Sequence, residues 1–136
     1  MCLDTVIEAY AEPQTYCGIG YKVMLRCESS KNYAFSYRGK GCVVPGDHWV
    51  HEHNHRTVGS LNREYAVDFI YFGSGHYPTG FHIYDRYEDA VEAMSRFGFL
   101  ESALLLVNYT GVVAEGSEYD AKVIVAKDMK ILAELE

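Results

Sequence analysis

The chain has 136 residues, 49% apolar and 23% charged, which suits one globular domain over 1–136. These values exclude a disordered tail, a coiled coil and a collagen-like chain, and folding at this length buries roughly two thirds of the unfolded surface. A net charge of -7 is the wrong sign for a duplex nucleic-acid binder, which needs a basic footprint.

The sign is unevenly spread. Residues 1–63 hold seven Lys/Arg against six Asp/Glu (+1), and residues 64–136 hold five against thirteen (-8), which together give -7. An anionic ligand is better placed against the first half, near Lys22, Arg26, Arg38 and Lys40. The second half also reads simply as a solvated acidic face.

In chain order, residues 1–11 place Leu3, Val6, Ile7 and Tyr10 at helix-like spacing, closed by Pro13. They suggest a short helix or an irregular lead-in. Residues 16–27 read as a strand, and 33–37 as the second arm of a hairpin after a turn at 28–32. A short apolar run at 42–44 ends in Pro45-Gly46. Residues 47–62 are polar and histidine-rich and read as a long loop. Residues 65–72 form a strand closed by Gly73-Ser74-Gly75, and 81–84 form another.

A helix follows, with Asp85 as N-cap and Glu88 at capping-box spacing. Its apolar stripe is Ala90, Val91, Met94 and Phe97, and Gly98 is the stop. Packed on the Phe81/Ile83 face, it leaves His82 and Tyr84 looking into a cleft. Residues 103–109, 112–114 and 121–126 are strands, and 129–135 a strand or helix. The fold class expected is α+β: a curved, mostly antiparallel sheet with one main helix packed on it.

The four cysteines, Cys2, Cys17, Cys27 and Cys42, form no C-x-x-C pair, which argues against a zinc ribbon or redox motif. Cys17 and Cys27 are expected to be small core residues. No signal-peptide pattern and no membrane-spanning run is present, so the expected setting is the reducing cytoplasm, away from membranes.

Three constellations could carry chemistry. In an extended segment His51, His53 and His55 share a face and could ligate zinc; the same residues also read as a polar surface loop. Nineteen aromatic residues include Tyr10, Tyr16, Tyr21, Tyr33 and Tyr37 in the more basic half, where stacking could accompany phosphate pairing. Gly80-Phe81-His82-Ile83-Tyr84 leads into the helix, whose N-terminus favours anions. No P-loop, G-x-S-x-G or H-E-x-x-H motif occurs.

The start Met1-Cys2-Leu3-Asp4, Gly18-Ile19-Gly20-Tyr21-Lys22-Val23, Gly80-Phe81-His82-Ile83-Tyr84 with Asp89-Ala90, and Val125-Ala126-Lys127-Asp128-Met129 together resemble a group of small phage and prophage proteins. That resemblance implies an accessory protein of the infected host cell acting against host defence, by sequestering a nucleotide signal or binding a host protein. The strand at 80–84 is also similar to one in the ADP-ribosyltransferase fold. There Glu115 or Glu118 would be the third-motif acid, but Gly20-Tyr21-Lys22 lacks that family's first-strand His or Arg.

The leading expectation is a non-enzymatic binder of a small anionic, nucleotide-derived ligand, with no cofactor. Lys22, Arg38 and Arg86 would pair with phosphate. Tyr21 and Trp49 would stack, and His82 and Tyr84 would donate hydrogen bonds. Such binders suggest a homodimer with the ligand near the subunit interface. The alternatives are an acidic module docking on a host protein, and an ADP-ribosyl-type or metal-dependent enzyme.

Overall fold

A computed structural model describes residues 3–26, 33–34, 42–43, 48–51, 69–72, 75–78, 80–96 and 102–135. The strands are β1 Thr5–Arg26, β2 Tyr33–Ala34, β3 Cys42–Val43, β4 Val50–His51, β5 Phe69–Phe72, β6 Gly75–Pro78, β7 Phe81–Tyr84, β8 Ser102–Glu118 and β9 Ala121–Glu134. The helix α1, Tyr87–Ser95, lies between β7 and β8. Among the described residues every strand pairing is antiparallel. The mostly antiparallel sheet with one helix is as expected.

The pairing closes a circuit. β1 pairs with β8, β8 with β9, β9 with β7, and β7 returns to β1 at Tyr21↔Tyr84. A sheet closed on itself has an inside and an outside, and strand alternation sorts side chains between them. Met24, Ile83, Leu105 and Ile124, one from each strand, meet in one buried cluster with Phe81 and Met129. Their neighbours Val23, Tyr84, Leu104, Val123 and Val125 point the other way, into a second cluster with Ala90 and Ala93 of α1, Leu3 and Tyr77. A helix cannot lie within a four-strand ring, so the first cluster fills the ring and the second sits between ring and helix.

Two glycines permit this geometry. At Gly20 a Cβ would lie 2.5 Å from Ile83 Cγ2 and 2.9 Å from the Tyr84 carbonyl, so a larger residue would block the approach of β1 to β7. Gly111 sits at φ +72, the left-handed region, beside register irregularities in both of β8's ladders. There one long strand bends where the sequence suggests two short ones.

Several expectations need correction. The start of the chain is strand from Thr5 onward, not helix. Bulges near Ile7 and across 10–13 break the period-2 pattern, and the leftover spacing mimics a helical one. The last segment is strand throughout, continuous with 121–126. The N-cap of α1 is Arg86, in extended conformation with no side-chain cap, rather than Asp85. The helix covers the His82/Tyr84 face instead of the Phe81/Ile83 face, because the latter is turned into the ring. Cys17 is an exposed free thiol on β1, not a core residue. Among the described residues, no helix is long and apolar enough to cross a membrane.

Candidate functional site

Burial decides what each polar side chain can do. Beyond Tyr21↔Tyr84, β1 and β7 share no ladder pair among the described residues. Lys22, only 5% exposed, spans the gap: its Nζ donates to the His82 carbonyl at 3.0 Å, where a ladder bond would otherwise lie. His82 is buried too. Its Nδ1 lies 3.2 Å from the Gly80 carbonyl, which can only accept, so the proton sits on Nδ1. Nε2 is then the acceptor for the Tyr77 hydroxyl at 2.9 Å, and that hydroxyl accepts from the Leu3 N–H at 2.9 Å. Burial, reinforced by the Lys22 ammonium, holds the imidazole well below its usual range, so His82 is neutral. These groups form a connected, internally satisfied chain joining β1, β6, β7 and the N-terminal segment.

A second polar group gathers at the β8–β9 turn. The Tyr84 hydroxyl donates to Glu118 Oε1 at 2.9 Å, and Arg96 Nη1 lies 3.5 Å from the same oxygen. Burial, followed by the Glu118 charge and hydrogen bond, pushes the Tyr84 hydroxyl far up. Burial is also the main force raising the Glu118 carboxyl, against the Tyr84 hydrogen bond and Arg96. Glu118 Oε2 is buried without a hydrogen-bond partner among the described residues. The turn residues Tyr119 and Asp120 have φ of 49 and 66, as a two-residue type I′ turn requires. Asp4 Oδ2 accepts from the Tyr119 N–H at 2.7 Å, and the Arg96 guanidinium stacks 4.0 Å from the Tyr119 ring centroid.

The expected ligand-binding residues therefore occupy different environments. Lys22, His82 and Tyr84 are interior, with the polar partners given above. Tyr21 is half-buried against the helix-side cluster, and Trp49 is exposed. Tyr21 meets Tyr87 of α1 edge-on, with ring centroids 5.8 Å apart. Trp49 is 44% exposed, and Lys130 Nζ lies 6.0 Å from its ring centroid. Lys130 faces Asn108, and Asn108 faces Ile19, two residues before Tyr21. Trp49 thus stands beside β9 and the Ile19–Tyr21 stretch on β1, with β8 pairing both strands.

Arg86 is exposed beside Glu88, 3.7 Å away. His51 pairs through Nδ1 with Asp128 Oδ1 at 2.7 Å. His53, His55 and Arg38 lie outside the described residues, and no group of three potential metal ligands occurs among those described. Of the two acids weighed for transferase chemistry, Glu115 accepts from the Tyr10 hydroxyl at 2.8 Å, which pushes that hydroxyl up to about 12.

Glu88 and Glu92 are exposed on α1 with Asp89 half-buried between them, and Asp85 and the cation Arg86 are exposed just before it. The helix also carries the exposed Tyr87, which meets the half-buried Tyr21 of β1; Ile19, exposed, stands two residues before Tyr21 on the same strand. This acidic helix face with an aromatic border is the candidate functional surface. Sequence reasoning treated it as a solvated face; its signal was the acidic spacing 85, 88/89, 92. In comparison with known proteins, no family model, no curated protein and no solved structure matches the chain.

Proposed function

We propose that this protein is a non-enzymatic interaction module that docks on a basic partner protein through the exposed side of α1. Tyr87, Tyr21 and Ile19 serve as apolar anchors. The observation that carries the reading is the split between interior and surface. The side chains best suited to a small anion, Lys22 and His82, are buried, with Lys22 Nζ on the His82 carbonyl and the imidazole on the Tyr77 hydroxyl, while four carboxylates lie on or just before the helix beside the exposed Tyr87. An anion approaching Arg86 meets Asp85, Glu88 and Asp89 around one guanidinium, so the local field opposes it. A basic protein meets the same field as attraction, which speeds encounter and fixes orientation. The resemblance to small phage and prophage proteins makes a host defence protein the natural partner.

The test is a joint neutralisation, Asp85→Asn, Glu88→Gln, Asp89→Asn and Glu92→Gln, which keeps the helix but removes its charge. Binding of the host protein captured by the unaltered chain should weaken at least tenfold, and raised salt should reproduce the loss. Calorimetry against a panel of cyclic and linear nucleotides supplies the opposing arm. Tight nucleotide binding that the neutralised variant retains would replace this reading with nucleotide sequestration.

A further inference from the structure

The β8–β9 turn holds a carboxylate that the helix face does not use. Glu118 is buried, its side chain 7% exposed. Oε1 has Tyr84 as donor, while Arg96 Nη1, at 3.5 Å, is too distant for a good hydrogen bond. Oε2 has none among the described residues. A carboxylate removed from water is best satisfied by a guanidinium, whose planar fork offers parallel N–H groups to both oxygens. Arg96 does not meet that geometry, because its guanidinium lies over the Tyr119 ring. That ring is 67% exposed, and its backbone is held at φ 49 with its N–H on Asp4. An exposed aromatic face, a buried carboxylate short of donors among the described residues and an exposed arginine 3.5 Å from it thus adjoin one another.

We infer that Glu118 and Tyr119 form a docking point for an arginine side chain of the basic partner, with Arg96 as the chain's own placeholder. The incoming guanidinium displaces Arg96, pairs with both oxygens of Glu118 and stacks on Tyr119. Asp4 and Asp120, both exposed beside the turn, supply the matching negative field. The inference rests on the basic-partner reading and names where one side chain of that partner is gripped.

The probe is the acetylated, amidated tripeptide Gly-Arg-Gly, titrated into the full-length chain by calorimetry and NMR. Its citrulline counterpart is the neutral control. The arginine peptide should bind about tenfold or more tighter than the citrulline peptide and shift the Tyr119 signals. Glu118→Gln keeps an oxygen for Tyr84 but places a donor where an acceptor was, and should abolish the difference. Tyr119→Gly suits φ 49 and removes the ring, so binding should weaken several-fold in a folded protein. Arg96→Ala removes the internal competitor and should tighten binding several-fold, which a purely structural arginine would not do.

Equal binding of the two peptides, or weaker arginine-peptide binding in Arg96→Ala, overturns the inference. Should Glu118→Gln fail to fold, the Tyr119 and Arg96 variants still decide it. If host-partner binding depends on the helix carboxylates while the peptide does not bind, only the arginine site is lost. If the peptide binds as expected while the neutralised helix leaves partner binding unchanged, the docking face is misassigned and the arginine site stands.

Discussion

The seam between β1 and β7 and the turn between β8 and β9 both bury charge-bearing side chains, with opposite results. At the seam the polar atoms described on Lys22, His82 and Tyr77 meet donors and acceptors of the right kind. At the turn, Glu118 keeps one oxygen without a donor among the described residues, and the next two residues take up left-handed backbone conformations. A closed hydrogen-bond chain stiffens a fold and specifies it; an open one stores free energy that a partner can release. The difference separates polar groups that hold this protein together from those placed to act.

The largest test of the comparison is Tyr77→Phe. The change strands the Leu3 N–H and His82 Nε2 at once, and should cost about 2–4 kcal/mol in denaturant unfolding. A loss near zero would show that the seam does not depend on its hydroxyl.

Acid should also separate the two regions. Because His82 is depressed in the folded state, the unfolded chain binds the extra proton. Its contribution is fully present above the unfolded value near 6.5 and is lost as pH falls below it. Glu118 runs the other way: raised in the folded state, it weakens folding as pH rises through the ordinary carboxylate range. His82→Gln should flatten stability between pH 6.5 and 5, and Glu118→Gln should improve relative to the parent as pH rises above about 4.5. Unfolding curves across pH check both slopes, and matching slopes in the two variants would erase the distinction.

The smallest effect expected is that of Tyr119→Gly. Relief of a left-handed tyrosine should stabilise by about 1 kcal/mol, less the contact with Arg96 and the added freedom of the unfolded glycine. A clear loss of stability would mean that the ring is structural.

The sequence spoke clearly where patterns are local. The strand at 81–84, the helix after it and the hairpin partnering of 33–34 with 25–26 follow from alternation, apolar spacing and turn residues. It was silent where a feature depends on distant segments. Ring closure brings Tyr21 to Tyr84, and only that closure decides that Phe81 and Ile83 face inward and that α1 covers Tyr84.

The site was partly legible for the same reason. Lys22, His82 and Tyr84 were singled out for their chemistry; all three are buried, and burial is a tertiary property that their spacing could not reveal. Tyr119-Asp120 lacks the glycine that normally announces a type I′ turn, so nothing local marked it. Arg96 looked like an ordinary surface cation until the turn was folded against it.

One backbone pair, Tyr21 with Tyr84, shuts the four-strand circuit, and its members are 63 positions apart (84 minus 21). The β8–β9 hairpin, by contrast, zips from neighbours across a two-residue turn. Assembly should therefore start at the hairpin, with β1 joining β8 and β7 afterwards, since distant contacts pay their loop-closure entropy last. Opened again by heat or force, the molecule should part first at that pair and leave the long hairpin standing.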